Sequence, residues 1–187
     1  MISPASVQEK HITGEELLEM GDIGPAELID GKIVLMSPTS GEHGYFEQTL
    51  SSKLDQFVRA RKLGWVLSGE VGIYIRRNPD RIRAADVAVV SREHSPLRAL
   101  RGYLTFAPIL VIEIVSPSDR WDDIRQKIED YFSIGVERVW ICEPELQDIL
   151  IFRSPLEFTK IQSNEVLHGE GILNGFELRL TELFEIE

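Results

Sequence analysis

The chain has 187 residues, 43% of them hydrophobic and 27% charged, which suits one globular domain and excludes a disordered polymer. Its single cysteine excludes an internal disulfide and a cysteine-built metal cage, and no apolar run reaches the roughly 18–20 residues of a membrane helix. A net charge of −11 speaks against avid nonspecific binding to nucleic acid, which rests on basic surface. Residues 1–10 lack the basic start and apolar stretch of a signal peptide, so the expectation is a cytoplasmic protein. It would form one domain over residues 1–187, with its core at about 42–153.

Thr13 and Glu16 have capping-box spacing ahead of Leu17, Leu18 and Met20, which predicts a short helix. Residues 27–36 read as a hairpin turning at Asp30 and Gly31, a pair suited to positive φ. A loop then leads into a helix over about 42–62, with His43, Glu47, Leu50, Leu54, Phe57 and Val58 as its inward stripe. Gly64 ends that helix, and residues 65–75 are extended, with Val71, Ile73 and Ile75 alternating. Arg76, Arg77, Arg81 and Arg83 crowd the next turn. They and Arg59, Arg61 and Lys62 read as solvated charge or as a local basic patch.

Residues 83–90 and 109–116 are mostly apolar and β-branched, so each reads as a buried strand, with a polar linker at about 91–107 between them. Ser116 to Asp119 form a turn and cap for a helix over about 120–134, which Gly135 stops. Residues 136–142 are the next strand, and short strands or hairpins follow. The order helix, three strands, helix, strand predicts an α/β fold. A mixed sheet is flanked by helices, with an N-terminal helix and hairpin and a β-rich C-terminal extension. The strand–helix–strand piece from 109 to 142 should be a parallel crossover.

Asp86 lies inside the first apolar strand and Glu113 inside the second. A carboxylate there is costly unless it is neutralised, paired or bound to metal. Lys127 falls among Ile124, Ile128 and Tyr131 on the inward face of the following helix, opposite Gln126, Glu129 and Asp130. It reads as an ammonium aimed at the two acids, as a snorkelling lysine, or as a partner of Asp123. For the acids the alternative is a purely structural pairing. Two acids and a lysine suit metal-assisted hydrolysis, in which Asp86, Glu113 and the Ile114 carbonyl hold Mg²⁺ or Mn²⁺ through oxygen. His43, Glu47 and Glu70 are accessory candidates; the helix dipole alone would also account for Glu47.

The Asp86 strand, the Glu113 strand running into Ser116 and Pro117, and the helix with Asp123, Lys127 and Tyr131 before Gly135 and Trp140 resemble the Uma family. That family groups bacterial restriction-endonuclease-like proteins within the PD-(D/E)XK nuclease superfamily. The hairpin at 27–31 and His43 match as well, so the resemblance covers about residues 12–185. It implies a restriction-endonuclease-like core, DNA as substrate, a homodimer, and catalytic roles for Asp86, Glu113 and Lys127. The superfamily signature is an acid, then acid–x–lysine. Val115 stands where that lysine would be, and the resemblance moves the lysine to the next helix as Lys127. Ala85 replaces the proline before the first acid. The activity implied is a metal-dependent DNA endonuclease. The residues also allow an inactive nuclease-fold binding module, or a phosphodiesterase acting on RNA or a small phosphoester.

Overall fold

In the first helix, α1 (Gly14–Glu19), the Thr13 side chain accepts from the Glu16 backbone and the Glu16 carboxylate accepts from the Thr13 backbone, as the spacing predicts. The computed structural model describes residues 11–93 and 100–185, so residues 1–10, part of the expected linker (94–99) and the last two residues lie outside it. Strands β1 (Ala26–Ile29) and β2 (Lys32–Leu35) form the hairpin, with Asp30 at φ 55° and Gly31 at φ 76° in its turn. Helix α2 (Gly41–Ala60) is capped by Ser40, whose hydroxyl accepts the His43 N–H. Its core face carries His43, Leu50, Leu54, Phe57 and Val58 as expected, and also Phe46. The 3.6-residue period passes between 46 and 47; Phe46 takes the core, and Glu47 falls to the half-buried margin.

Strands β3 (Gly64–Arg76), β4 (Arg81–Ser91) and β5 (Leu110–Ile114) pair antiparallel in turn. Helix α3 (Trp121–Ser133) then leads to β6 (Arg138–Glu143), which lies parallel to β5. Strands β7 (Asp148–Ser154) and β8 (Glu157–Gln162) extend the sheet, giving the order β2-β1-β4-β5-β6-β7-β8 with β3 also on β4. A separate ladder of β9 (Val166–His168) and β10 (Glu177–Arg179) precedes α4 (Thr181–Phe184). This is the mixed sheet flanked by helices that the element order predicts.

Leu50 and Leu54 of α2 pack with Val87, Ile112 and Trp140 on one face of the sheet, and the C-terminal Phe176, Leu178 and Leu183 join the same cluster. Ile124, Ile128 and Tyr131 of α3 pack with Val111, Val139 and Ile141 on the other. Each fully buried aliphatic side chain contributes about 1.5–3 kcal/mol over its exposed state, which holds both helices to the sheet. One local expectation fails at α3. Its N-cap is Arg120, which makes no side-chain cap bond, and the Asp119 carboxylate instead accepts the Ser116 N–H at 2.8 Å. Asp119 sits one residue too early to cap the helix and closes the preceding turn.

Strand β4 is the hub. β3 follows one of its edges from Gly64↔Ser91 to Arg76↔Arg81. β1 and β5 share the other edge, β1 pairing at Ile82 and β5 at Val87, Ala88 and Val89. Among the described residues, no strand pairs with 83–86 on that edge, so side chains must satisfy the backbone there. Glu27 accepts the Ala84 N–H at 3.1 Å, and Lys127 donates to the Ala84 carbonyl at 3.3 Å. Asp86 Oδ2 accepts the Ile114 N–H at 2.6 Å, where β4 and β5 part.

Candidate active site

The gap in the β4 edge is where the acids meet. One step beyond the last ladder pair, Val87↔Ile112, Asp86 and Glu113 come opposite each other. Glu113 is 7% exposed, and both its oxygens are engaged. Lys127 Nζ donates to Oε2 at 2.7 Å, and the Tyr131 hydroxyl donates to Oε1 at 2.5 Å. Lys127 and Tyr131 are four residues apart on α3, so one helix face delivers both to one strand position. Burial pushes the Glu113 carboxyl up to about 7 against the pull of Lys127, and the charge on Asp86 adds to the rise. Burial works against the Lys127 ammonium, but Glu113 and Glu27 outweigh it and raise its pKa.

Asp86 Oδ1 lies 3.2 Å from His43 Nε2. The approach is off hydrogen-bond geometry, which leaves Nε2 a buried nitrogen without a hydrogen-bond partner. The other ring nitrogen sits 3.3 Å from the Ser116 hydroxyl. The neighbouring Asp86 carboxylate raises the His43 pKa, burial opposes that, and Glu47 and Glu70 add to the rise.

Across β4, the β3 register slips between Ser68 and Val71, so Gly69 and Glu70 together oppose Asp86. Gly69 has φ 88° and Glu70 φ 49°, a conformation costly for a residue with a Cβ, and this bulge faces Glu70 into the pocket. Glu47, from α2, accepts the Gly69 N–H at 2.7 Å and so ties the bulge down. Burial raises its pKa, and Asp86 and Glu70 add to the effect.

The resulting pocket, of about 500 Å³, is lined by His43, Glu70, Asp86, Glu113, Ile114 and Lys127. These are six of the seven residues singled out in the sequence; the seventh, Glu47, stands behind the bulge. Among the described residues, no three His, Cys, Asp or Glu side chains are set to enclose a metal ion. Two carboxylates beside Ile114 fit a different mode, the sparse oxygen ligation completed by water and phosphate that suits Mg²⁺ and Mn²⁺.

A family model described as "Uma2: Putative restriction endonuclease" matches residues 15–181. The chain belongs to the Uma2 family. Among solved structures it is similar to the crystal structure of a "putative nuclease belonging to DUF820" from Anabaena variabilis ATCC 29413. The TM-score is 0.78 at 20% identity, covering 92% of this chain and 97% of that one, a likeness that shows a common fold. None of the curated proteins matches. No described helix is long and apolar enough to cross a membrane.

Two participants in this Uma2 pocket escaped the sequence. Glu27, read only as part of a hairpin, is 5% exposed and lies 3.4 Å from Lys127 Nζ. Tyr131, read as apolar stripe, holds Glu113 through its hydroxyl. A polar tip on an otherwise buried ring was the available signal, since such a hydroxyl requires a partner. The crowded arginines also need correction, because they are not a free basic patch. Arg83 donates to Glu27 and Asp130, each at 2.7 Å, and Arg81 reaches Asp30 and Asp130. Arg76 pairs with Asp30, and Arg77 with Glu15 and Asp80. Asp130, expected on the solvated side of α3, is 6% exposed beneath these arginines. Lys127 pairs with Glu113 and Glu27 rather than with Asp123.

Proposed function

We propose that this chain is a Mg²⁺- or Mn²⁺-dependent endonuclease that hydrolyses phosphodiester bonds in DNA. The observation that carries the reading is the 2.7 Å approach of the Lys127 ammonium to Glu113 across a pocket shared with Asp86. Asp86 and Glu113, with the Ile114 carbonyl and water, would hold the cation. Once bound, it supplies a water of lowered pKa and offsets charge on the phosphate. Lys127, kept charged by two carboxylates, stabilises the negative charge that develops and is not a resting base. Tyr131 fixes the second Glu113 oxygen, and His43, oriented through Ser116, flanks Asp86. Glu70 extends the acidic wall, and Glu47 holds its bulge.

DNA as the substrate is supported by the family description alone. A second reading, RNA or a small phosphoester, is favoured by the rim. Ser37, Thr39, Ser40 and Ser118 line the pocket with hydroxyls, while Arg76, Arg77, Arg81 and Arg83 are held in ion pairs and do not track a long phosphate backbone. Circular DNA, linear DNA, RNA and a small diester incubated in parallel with Mn²⁺ test both readings. The Lys127→Ala variant should lower cleavage about 10²–10³-fold, the scale of a lost transition-state contact. Equal cleavage by both proteins would assign the activity to another residue.

The cation site carries a pH dependence. A ligating carboxylate must be deprotonated, and burial holds Glu113 up to about 7. Below that pH the proton competes, so Mn²⁺ affinity should fall by up to about tenfold per pH unit and level off above it. Calorimetry in buffers of different ionisation enthalpy should find about one proton released per ion near pH 6. An affinity flat across this range would remove Glu113 as a ligand.

The same reading includes one domain over 1–187 with its core at about 42–153, a cytoplasmic setting and a homodimer. The dimer is supported by exposed Leu156 and Phe158 at the start of β8, the last strand of the described sheet. Sedimentation giving a concentration-independent monomer would remove it.

A further inference from the structure

Lys127 has two carboxylates where one would neutralise it. Its Nζ lies 2.7 Å from Glu113 Oε2 and 3.4 Å from Glu27 Oε1, and it also donates to the Ala84 carbonyl. Glu27 comes from β1, in the N-terminal hairpin, outside the run of elements that carries Asp86, Glu113 and Lys127. It is held from two further directions. Oε1 accepts the Ala84 N–H at 3.1 Å, and Oε2 accepts from Arg83 at 2.7 Å, while Arg83 is itself anchored on Asp130. Glu27 is therefore fixed, and Lys127, on its four-carbon stem, is the member free to shift.

The two charges compete for one oxygen. Glu113 Oε1 is taken by Tyr131 and Oε2 by Lys127, so a divalent cation arriving at Glu113 meets an ammonium already there. Like charges at such separation repel strongly in a partly buried site. Resting on the metal-site reading above, we propose that Glu27 is a positioning residue, holding the Lys127 ammonium beside the pocket once Glu113 Oε2 turns to a divalent cation. Without Glu27 the ammonium has only Glu113 as a counter-charge, stays on it and opposes the cation. With Glu27 it keeps a counter-charge and the Ala84 carbonyl through a short movement.

Calorimetric titration of Mn²⁺ into the wild-type protein, Glu27→Gln, Lys127→Ala and the double variant tests this. Glu27→Gln should weaken Mn²⁺ binding about 10–100-fold, the scale for losing an outer-shell partner. Lys127→Ala should not weaken it, and Glu27→Gln should add nothing on the Lys127→Ala background. A Glu27 that acted only through Arg83 would weaken both backgrounds alike, and that result overturns the proposal, as does unchanged affinity in Glu27→Gln. Glu27→Asp, which retains the charge facing Arg83, should recover part of the affinity. If the Glu27 variants do not fold, a crystal structure of the wild-type protein with Mn²⁺ decides. Lys127 bonded to Glu27 and released from Glu113 supports the proposal; Lys127 still on Glu113 overturns it. Absence of Mn²⁺ binding in the wild-type protein overturns the metal reading and this inference together. Binding that Glu27→Gln leaves untouched overturns only the inference.

Discussion

Replacing Asp86 with asparagine should abolish Mn²⁺ binding and lower cleavage by at least about 10³-fold, because one of two anionic ligands is lost at the centre of the site. Asparagine is the informative substitution. Asp86 Oδ2 accepts the Ile114 N–H at 2.6 Å, and an amide oxygen retains that bond. The amide NH₂ would face His43 Nε2, now a buried nitrogen without a hydrogen-bond partner, so the fold should lose little and the melting temperature should stay near that of the wild-type protein. Asp86→Ala instead strands the buried Ile114 N–H, at a cost of about 1–3 kcal/mol, and confuses chemistry with folding. Thermal melts with and without Mn²⁺ separate the two. The wild-type protein should gain stability from the ion by mass action, and Asp86→Asn should not. A variant still stabilised by Mn²⁺ would show that Asp86 is not a ligand.

Local chemistry made much of this molecule readable. Thr13 with Glu16, Asp30 with Gly31, and Gly135 each satisfy a backbone requirement within a few residues, and each stands where expected. Asp86 and Glu113 were conspicuous because an apolar strand makes an acid expensive, and the helical phase of Lys127 pointed it at them. Glu27, Arg83 and Asp130 were less legible for a physical reason. Arg83 is 56 residues from Glu27 and 47 from Asp130, and periodicity assigns a face without naming the partner across it. The split edge of β4 belongs to topology. It arises because β1 and β5 pair with different ends of one strand, and the intervening backbone then draws Glu27, Lys127 and Asp86 together. Asp130 sits at the margin of the inward stripe. It lies three residues from Lys127 on α3, so a small rotation of the inward stripe would have included it.

Replacing Arg83 with methionine should cost about 3–5 kcal/mol of folding stability, the scale for removing one partner of a buried ion pair. Arg83 is 7% exposed and bridges two carboxylates of similar burial, Glu27 and Asp130. Burial disfavours its charge, but those carboxylates outweigh the penalty and raise its pKa. Methionine fills comparable volume, so the loss falls on the stranded acids rather than on packing. Asp130 keeps Arg81, and Glu27 keeps Lys127 and the Ala84 N–H, which favours the lower end of the range. For a chain of this size the melting temperature should fall by about 10 °C. Glu27→Gln with Asp130→Asn in the same chain should remove most of this deficit. A melting temperature equal to wild type at pH 8 would show that the network contributes nothing to folding. Because Arg83 also fixes Glu27, stability and Mn²⁺ affinity should fall together in Arg83→Met, whereas in Lys127→Ala the affinity should hold.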